Sequence, residues 1–325
     1  MQPLLILVVA PTVFATTMCA PVGPEPNRAP EGGAASGSRS RQADSPGPLS
    51  LKLAAPRDQL RLAEPLTLVA TLVNRSGENQ KVLEPLAPEF GALALRAQPS
   101  TDAEPTLYAP VIRRDARGHT PRSLAPGESV SDAFSVALGR EGWLLGEAGR
   151  YRLWAEYPLP DGSRVRSNVL DIEVLPPRTE QERQAAERLM VPESSLFFQM
   201  KGGEHLEQGV RDLEVISQSY ADTYVAPYAD LALGIGQSQS AFDPATKTFR
   251  QPDCDSAVTH LRRAVPAVGD PLSAAQGTAA LIGCLNRLGR HDEAVAATRA
   301  FHEAHSEVRD LPGIRETLER ALQEK

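Results

Sequence analysis

The chain is poor in the residues that usually carry chemistry. Its 325 residues hold 3 Cys, 2 Trp and 6 His, and aromatics make up 5%. No run of about 18 apolar residues follows the N-terminus, which argues against an internal membrane-spanning helix. Strong charge of either sign is also lacking. Lys and Arg total 34 against 41 Asp and Glu, a net charge of −7. That balance argues against a nucleic-acid binder and against a protein held to anionic lipid by its own charge.

Catalytic motifs are equally scarce. There is no GxSxG elbow and no Walker loop, and Gly234-Ile235-Gly236 lacks the third glycine and the preceding strand of a dinucleotide fingerprint. His302-Glu303-Ala304-His305 is one residue short of HExxH, so its histidines fall at i and i+3 and do not form the zinc-protease pair. No CxxC occurs, and Asp253 and Asp255 stand where helix capping explains them. The expectation is a non-enzyme with no catalytic residue, no cofactor and no metal.

What the chain does have is proline, 28 against 24 glycines. Eight prolines lie in residues 1–48, 13 in 49–177 and 7 in 178–325. Formal charge over the same segments is 0, −1 and −6. These shifts divide the chain into an export signal (1–19), a tether (20–48), a β domain (49–177) and a helical domain (178–325).

Leu4–Val9 form a short apolar run, and Val13-Phe14-Ala15 offers small residues for cleavage after Ala15. No Lys or Arg precedes Arg28, a departure from the usual signal architecture. Cys19 follows directly and could carry a lipid, although Met18 occupies a position where a small residue is usual. Residues 20–48 are rich in Pro, Gly, Ser and Ala, a composition that buries too little apolar surface to offset ordering entropy. Beside the reading of an unprocessed apolar N-terminus on a cytoplasmic protein, the two export alternatives are lipidation at Cys19 and simple secretion. Both place the protein outside the cytoplasm, periplasmic or anchored to the outer membrane in the cell envelope, with a membrane contact only through Cys19.

Removing Cys19 leaves Cys254 and Cys284. They sit on two expected helices, 253–267 and 271–288, at nearly level positions about the turn at Val268–Asp270. A disulfide between them is geometrically open, and so is a pair of ordinary buried thiols.

Residues 49–177 alternate in hydropathy. Stripes occur at Leu49/Leu51/Leu53, Leu66/Leu68/Ala70/Leu72, Leu93/Leu95, Phe134/Val136/Leu138, Tyr151/Leu153/Ala155/Tyr157 and Leu170/Ile172/Val174, with turn sequences between them. That period predicts about seven half-buried antiparallel strands. Glu64–Leu68 through Asn74-Arg75-Ser76-Gly77, the turn Leu124–Ser129, and Ala148–Leu153 with its tyrosine corner resemble immunoglobulin-like or fibronectin-type modules of bacterial envelope proteins. The resemblance implies a β-sandwich and no particular function. Arg113, Arg114, Arg117, His119 and Arg122 form a basic cluster that the surrounding Gly and Pro mark as a solvated loop.

From Thr179 the period becomes helical, with Thr179 and Glu182 forming a capping box and seven or eight short-linked helices following. Leu281, Leu285, Leu288-Gly289-Arg290, Asp292-Glu293-Ala294 and Phe301 resemble a tetratricopeptide repeat. That resemblance implies a concave surface into which Gln276, Asn286 and Arg287 point toward a protein or peptide partner.

The fold expected is therefore multidomain all-β plus all-α: an Ig-like antiparallel β-sandwich followed by a tetratricopeptide-like α-helical domain. The function expected is a non-enzymatic cell-envelope scaffold that binds protein or peptide through its helices. The alternative is a ligand-binding or protease-inhibitor-like module working through the sandwich loops Arg113–Arg122 and Gly139–Gly149. A hydrolase comes third and would require a pocket holding a His–carboxylate pair.

Overall fold

The computed structural model describes residues 47–100, 103–113, 120–203, 205–243 and 247–306, with positions 310, 314, 315, 318, 319 and 321. Cys19, the rest of the leader and residues 20–46 of the tether lie outside them, as do Arg114, Arg117 and His119 of the basic cluster.

Thirteen strands come first: β1 (Leu49–Ala54), β2 (Gln59–Arg61), β3 (Leu66–Asn74), β4 (Gln80–Glu84), β5 (Ala94–Pro99), β6 (Thr106–Leu107), β7 (Thr120–Leu124), β8 (Ser129–Val136), β9 (Leu138–Gly139), β10 (Gly142–Trp143), β11 (Gly149–Pro158), β12 (Arg164–Arg166) and β13 (Leu170–Leu175). Helices follow: α1 (Glu180–Leu189), α2 (Pro192–Met200), α3 (Glu207–Ser219), α4 (Ala226–Ser238), α5 (Cys254–Ala264), α6 (Pro271–Arg287) and α7 (His291–Ala304). A hairpin of β14 (Ala241–Asp243) and β15 (Thr248–Arg250) separates α4 from α5.

Two sheets share one apolar core. The first runs β1-β3-β8, and the second β2-β13-β11-β5-β6 with β12 beside β11. Alternate residues of both turn inward, so Leu51, Leu53, Leu68, Phe134, Leu95, Leu153 and Ile172 pack in one cluster. Each such side chain taken from water contributes roughly 1.5–3 kcal/mol. The Tyr151 hydroxyl donates to Glu147 O at 3.0 Å, closing the corner where β11 begins. Asn74 is fully buried at the end of β3. Its amide donates to Glu78 O and Leu124 O at 2.7 and 2.9 Å, and its Oδ1 accepts from Ser76 N at 3.0 Å, which sets the turn.

The helices start where local chemistry starts them. Thr179 Oγ1 accepts from Glu182 N at 3.1 Å, while Glu182 Oε2 takes the amide of Arg178 at 2.6 Å. Asp253 and Asp270 cap α5 and α6 through Ser256 N and Ser273 N. Gly289, at φ +73°, turns the chain between α6 and α7. Cys254 and Cys284 are joined by a disulfide that ties the start of α5 to the last third of α6, with Cα atoms 5.0 Å apart.

The expected division into an all-β domain and a separate all-α domain is overturned: the fold is mixed α/β. β2 pairs parallel with β13 inside an otherwise antiparallel sheet, and β14–β15 sits among the helices. Residues Asp44–Lys325 form one compact unit, and the helical core takes in Ala63 and Ala137 from the strand region. The physical reason is a polar seam that local periodicity cannot reveal. Along it Arg57 pairs with Glu64 at 3.0 Å and donates to Pro65 O, while the Tyr228 hydroxyl lies 3.4 Å from Glu64. Arg61 reaches Glu182 at 2.7 Å and lies over the Tyr224 ring, whose hydroxyl donates to Leu62 O at 2.7 Å. Polar groups paired in this way hold sheet and helices in one register, although Arg57 Nε is buried without a hydrogen-bond partner.

Candidate functional site

Sheet and helices leave between them a cleft of about 600 Å³. One wall is β8 (Ser131, Asp132, Ser135), and the opposite wall combines the end of α2 (Phe198, Gln199, Lys201) with the start of α6 (Leu272, Ser273, Gln276). Pro85, Glu89 and Phe90 close it below β4, and Tyr108, Pro110 and Ile112 close it after β6.

Each wall is held by contacts made elsewhere. Phe198 is 3% exposed; Trp143 stacks on it at 6.0 Å and Tyr228 meets it edge-on at 6.3 Å. Trp143 is itself fixed by its indole N–H, which donates to Ser195 Oγ at 2.7 Å. Lys201 ends α2 in the left-handed region at φ 52°, with its amide on Phe197 O at 2.7 Å, and its ammonium lies over the Phe198 ring. Asp132 Oδ2 accepts from Leu86 N at 2.8 Å and so fixes the loop after β4 to the middle of β8. Arg122 bridges Glu84 at 3.2 Å and Glu128 at 2.7 Å at the mouth. Glu128 is held below its ordinary pKa first by the Ala125 amide and then by Arg122. The Tyr108 phenol, buried and near Glu89, is pushed up to about 12, first by desolvation, so it stays neutral and donates to Leu138 O at 3.1 Å.

β8 pairs with β3 on one side, and among the described residues no strand pairs with its other side. The cleft therefore joins an open strand edge to a floor of mostly buried rings, Phe90, Tyr108, Phe134 and Phe198, with Ser131, Ser135, Gln199 and Gln276 able to donate or accept hydrogen bonds. Among the described residues lining it there is no His and no Cys.

Of the three residues expected to face a partner, Gln276 lines this cleft. Asn286 and Arg287 lie about 15 Å further along α6 at 1.5 Å per residue. There Asn286 Nδ2 donates to Ala321 O at 3.3 Å, and Arg287 donates to Ser238 O at 2.8 Å at the end of α4. From the two sandwich loops singled out in the sequence, Ile112 is just before the first and Arg122 is at its end, and both line the cleft; nothing in Gly139–Gly149 does. Sequence reasoning missed Phe198, Tyr108 and Asp132. Asp132 carried a signal: it shares the strand parity of Val130, Phe134 and Val136, a charged residue in an apolar stripe.

A His–carboxylate pair does occur, but on the helices and outside the cleft lining. Asp230, 4% exposed, accepts from His260 Nδ1 at 2.6 Å, Ser217 Oγ at 2.7 Å and Arg263 at 2.6 and 3.1 Å. Burial works to raise the Asp230 pKa, but the hydrogen bonds of His260, Arg263 and Ser217 together outweigh it and hold the carboxyl below its ordinary value. Ser217 donates to the carboxylate, not to the imidazole, so the trio is not in the nucleophile–base order that hydrolysis needs.

No family model matches the chain, and no curated protein matches it. Partial likenesses among solved structures include three proteins. β-Glucosidase from Listeria innocua in complex with isofagomine is 18% identical over 39% of this chain and 16% of its own, with a TM-score of 0.25. Spo0M, the sporulation control protein of Bacillus subtilis, is 12% identical over 44% and 56%, with a TM-score of 0.28. A CARDB domain from Pyrococcus furiosus is 16% identical over 39% and 94%, with a TM-score of 0.22. This chain thus spans 16% of the glucosidase's length, and scores this low assign neither activity nor partner.

Proposed function

We propose that the protein is a non-enzymatic binding protein of the cell envelope that holds an extended segment of a partner protein in the cleft between β8 and the helices. The observation that carries this reading is the pairing of an open β8 edge with an aromatic floor and an amide- and hydroxyl-bearing rim. An open edge offers unpaired N–H and C=O groups to an incoming strand, and a floor of rings takes its alternate side chains. A volume of about 600 Å³ suits a few residues of peptide, not a folded domain. Location in the envelope is supported by the Leu4–Val9 run, the tether and the Cys254–Cys284 bridge. Mass spectrometry of the mature N-terminus distinguishes a lipid on Cys19 from removal of that residue.

The binding reading is tested by selecting a displayed random-peptide library on the full chain. Selected peptides are then measured against Gln276→Trp and Ser135→Trp, which fill the cleft from α6 and from β8. Loss of binding in both folded variants supports the proposal; undiminished binding in both contradicts it.

A further inference from the structure

The outward face of the larger sheet carries a second surface, separate from the cleft. Trp154 points outward on β11 yet is 5% exposed, with Arg166 of β12 over its ring at 4.3 Å. Glu156, two residues along the same face, is taken by Arg96 at 3.2 Å and Arg164 at 3.0 Å, with the Trp154 indole N–H at 3.4 Å. Its charge is therefore committed to two other arginines. Arg152 stands directly across from Asp171 in the β11–β13 register, but no carboxylate among the described residues forms an ion pair with Arg152 or with Arg166. Arg150 meets Glu173 at 3.6 Å. In a chain of net charge −7, one sheet face thus gathers five arginines against Glu156, Asp171 and Glu173.

We infer that this face docks an acidic stretch of a partner protein, its carboxylates taken by Arg152 and Arg166. Charge complementarity selects the occupant, and geometry favours a carboxylate-bearing strand. Guanidinium forks match carboxylates two bonds at a time. Stacking on Trp154 restricts Arg166 before any partner arrives, so little rotamer freedom is lost on binding. Side chains on one face of an extended acidic segment recur every ~7 Å, the same repeat as alternate residues of β11.

The test is a fluorescence-anisotropy titration of a labelled octaglutamate peptide with the full chain at low salt. The expected result is saturable binding that weakens at least tenfold in Arg152→Glu, is partly restored in Arg152→Lys, and falls as salt rises. Arg211→Glu on α3 binds as the parent does. Circular dichroism confirms that each variant is folded, and Arg152 is chosen because its exposed side chain supports no packing. Absence of saturable binding, binding indifferent to Arg152→Glu, or preferential capture of heparin fragments or anionic vesicles over the peptide overturns the proposal.

Discussion

The Thr67 hydroxyl on β3 donates to the Asp270 carboxylate that caps α6, a bond between buried residues 203 positions apart in sequence. Asp270 also accepts from Ser273 N at 2.9 Å, so one side chain begins a helix and fastens it to the sheet. The start of α6 forms a wall of the cleft, so this bond helps to set the cleft's width.

Replacing Asp270 by Ala removes the cap and strands the Thr67 hydroxyl. The expected cost is roughly 2.5–4 kcal/mol, from a cap of about 1 and a buried charge-assisted bond of about 1.5–3. Thr67→Val costs less, and the double variant less than the sum of the two, because the residues share one bond. Urea unfolding of the two single variants and the double variant measures all three.

Stability falls with acid through Asp230. Its folded pKa lies below the ordinary aspartate value of about 3.9, so its stabilisation is complete above that value and is lost as pH falls through the lower, folded one. Unfolding followed between pH 6 and pH 2 should show this slope in the parent chain and a shallower one in Asp230→Asn. An equal slope in both contradicts the assignment.

The Cys254–Cys284 bridge spans 30 residues of sequence. In the chain-entropy model, closing such a loop stabilises by roughly 3–4 kcal/mol. The Cys254→Ser/Cys284→Ser double variant should therefore unfold at clearly lower urea in non-reducing buffer. The difference should disappear when the parent is reduced.

Two glycines make opposite predictions. A Cβ on Gly209 in α3 would stand 2.7 Å from Glu193 O of the backbone, a neighbour that cannot swing away. Gly209→Ala should destabilise by about 1–3 kcal/mol despite the gain in helix propensity. On Gly283 in α6 nothing lies within 4 Å, so Gly283→Ala should stabilise by about 0.5–1 kcal/mol. Thermal melts of the pair read both signs.

What could be read from the sequence follows from what is local. Leu49/Leu51/Leu53, Tyr151/Leu153/Ala155 and Ile172/Val174 alternate because each strand buries one face, and that period survives without knowledge of the partner strand. The Thr179 cap and the Gly289 turn are equally local. β2 was invisible: three residues with one buried leucine, held by parallel pairing with a strand more than a hundred residues away. β14–β15 leaves no apolar stripe to read, because Phe242 and Phe249 are exposed. The seam was hidden for a different reason. Thr67 looks like a solvent-facing strand residue and Asp270 like an ordinary cap, and their buried bond exists only once sheet and helices meet. The cleft draws on β8, the loops after β4 and β6, and the ends of α2 and α6, so of its described lining the sequence pointed only to Gln276 and, through the alternative loop reading, Arg122.

The central claim is that the open edge of β8 receives a strand from a partner. Amide hydrogen exchange of the full chain with and without a cleft-selected peptide tests it most directly. The account predicts new protection in Ser129–Val136, absent in Gln276→Trp, with β1 unchanged at the far edge of the same sheet. Protection confined to other elements, with β8 exchanging as in the free protein, would contradict it.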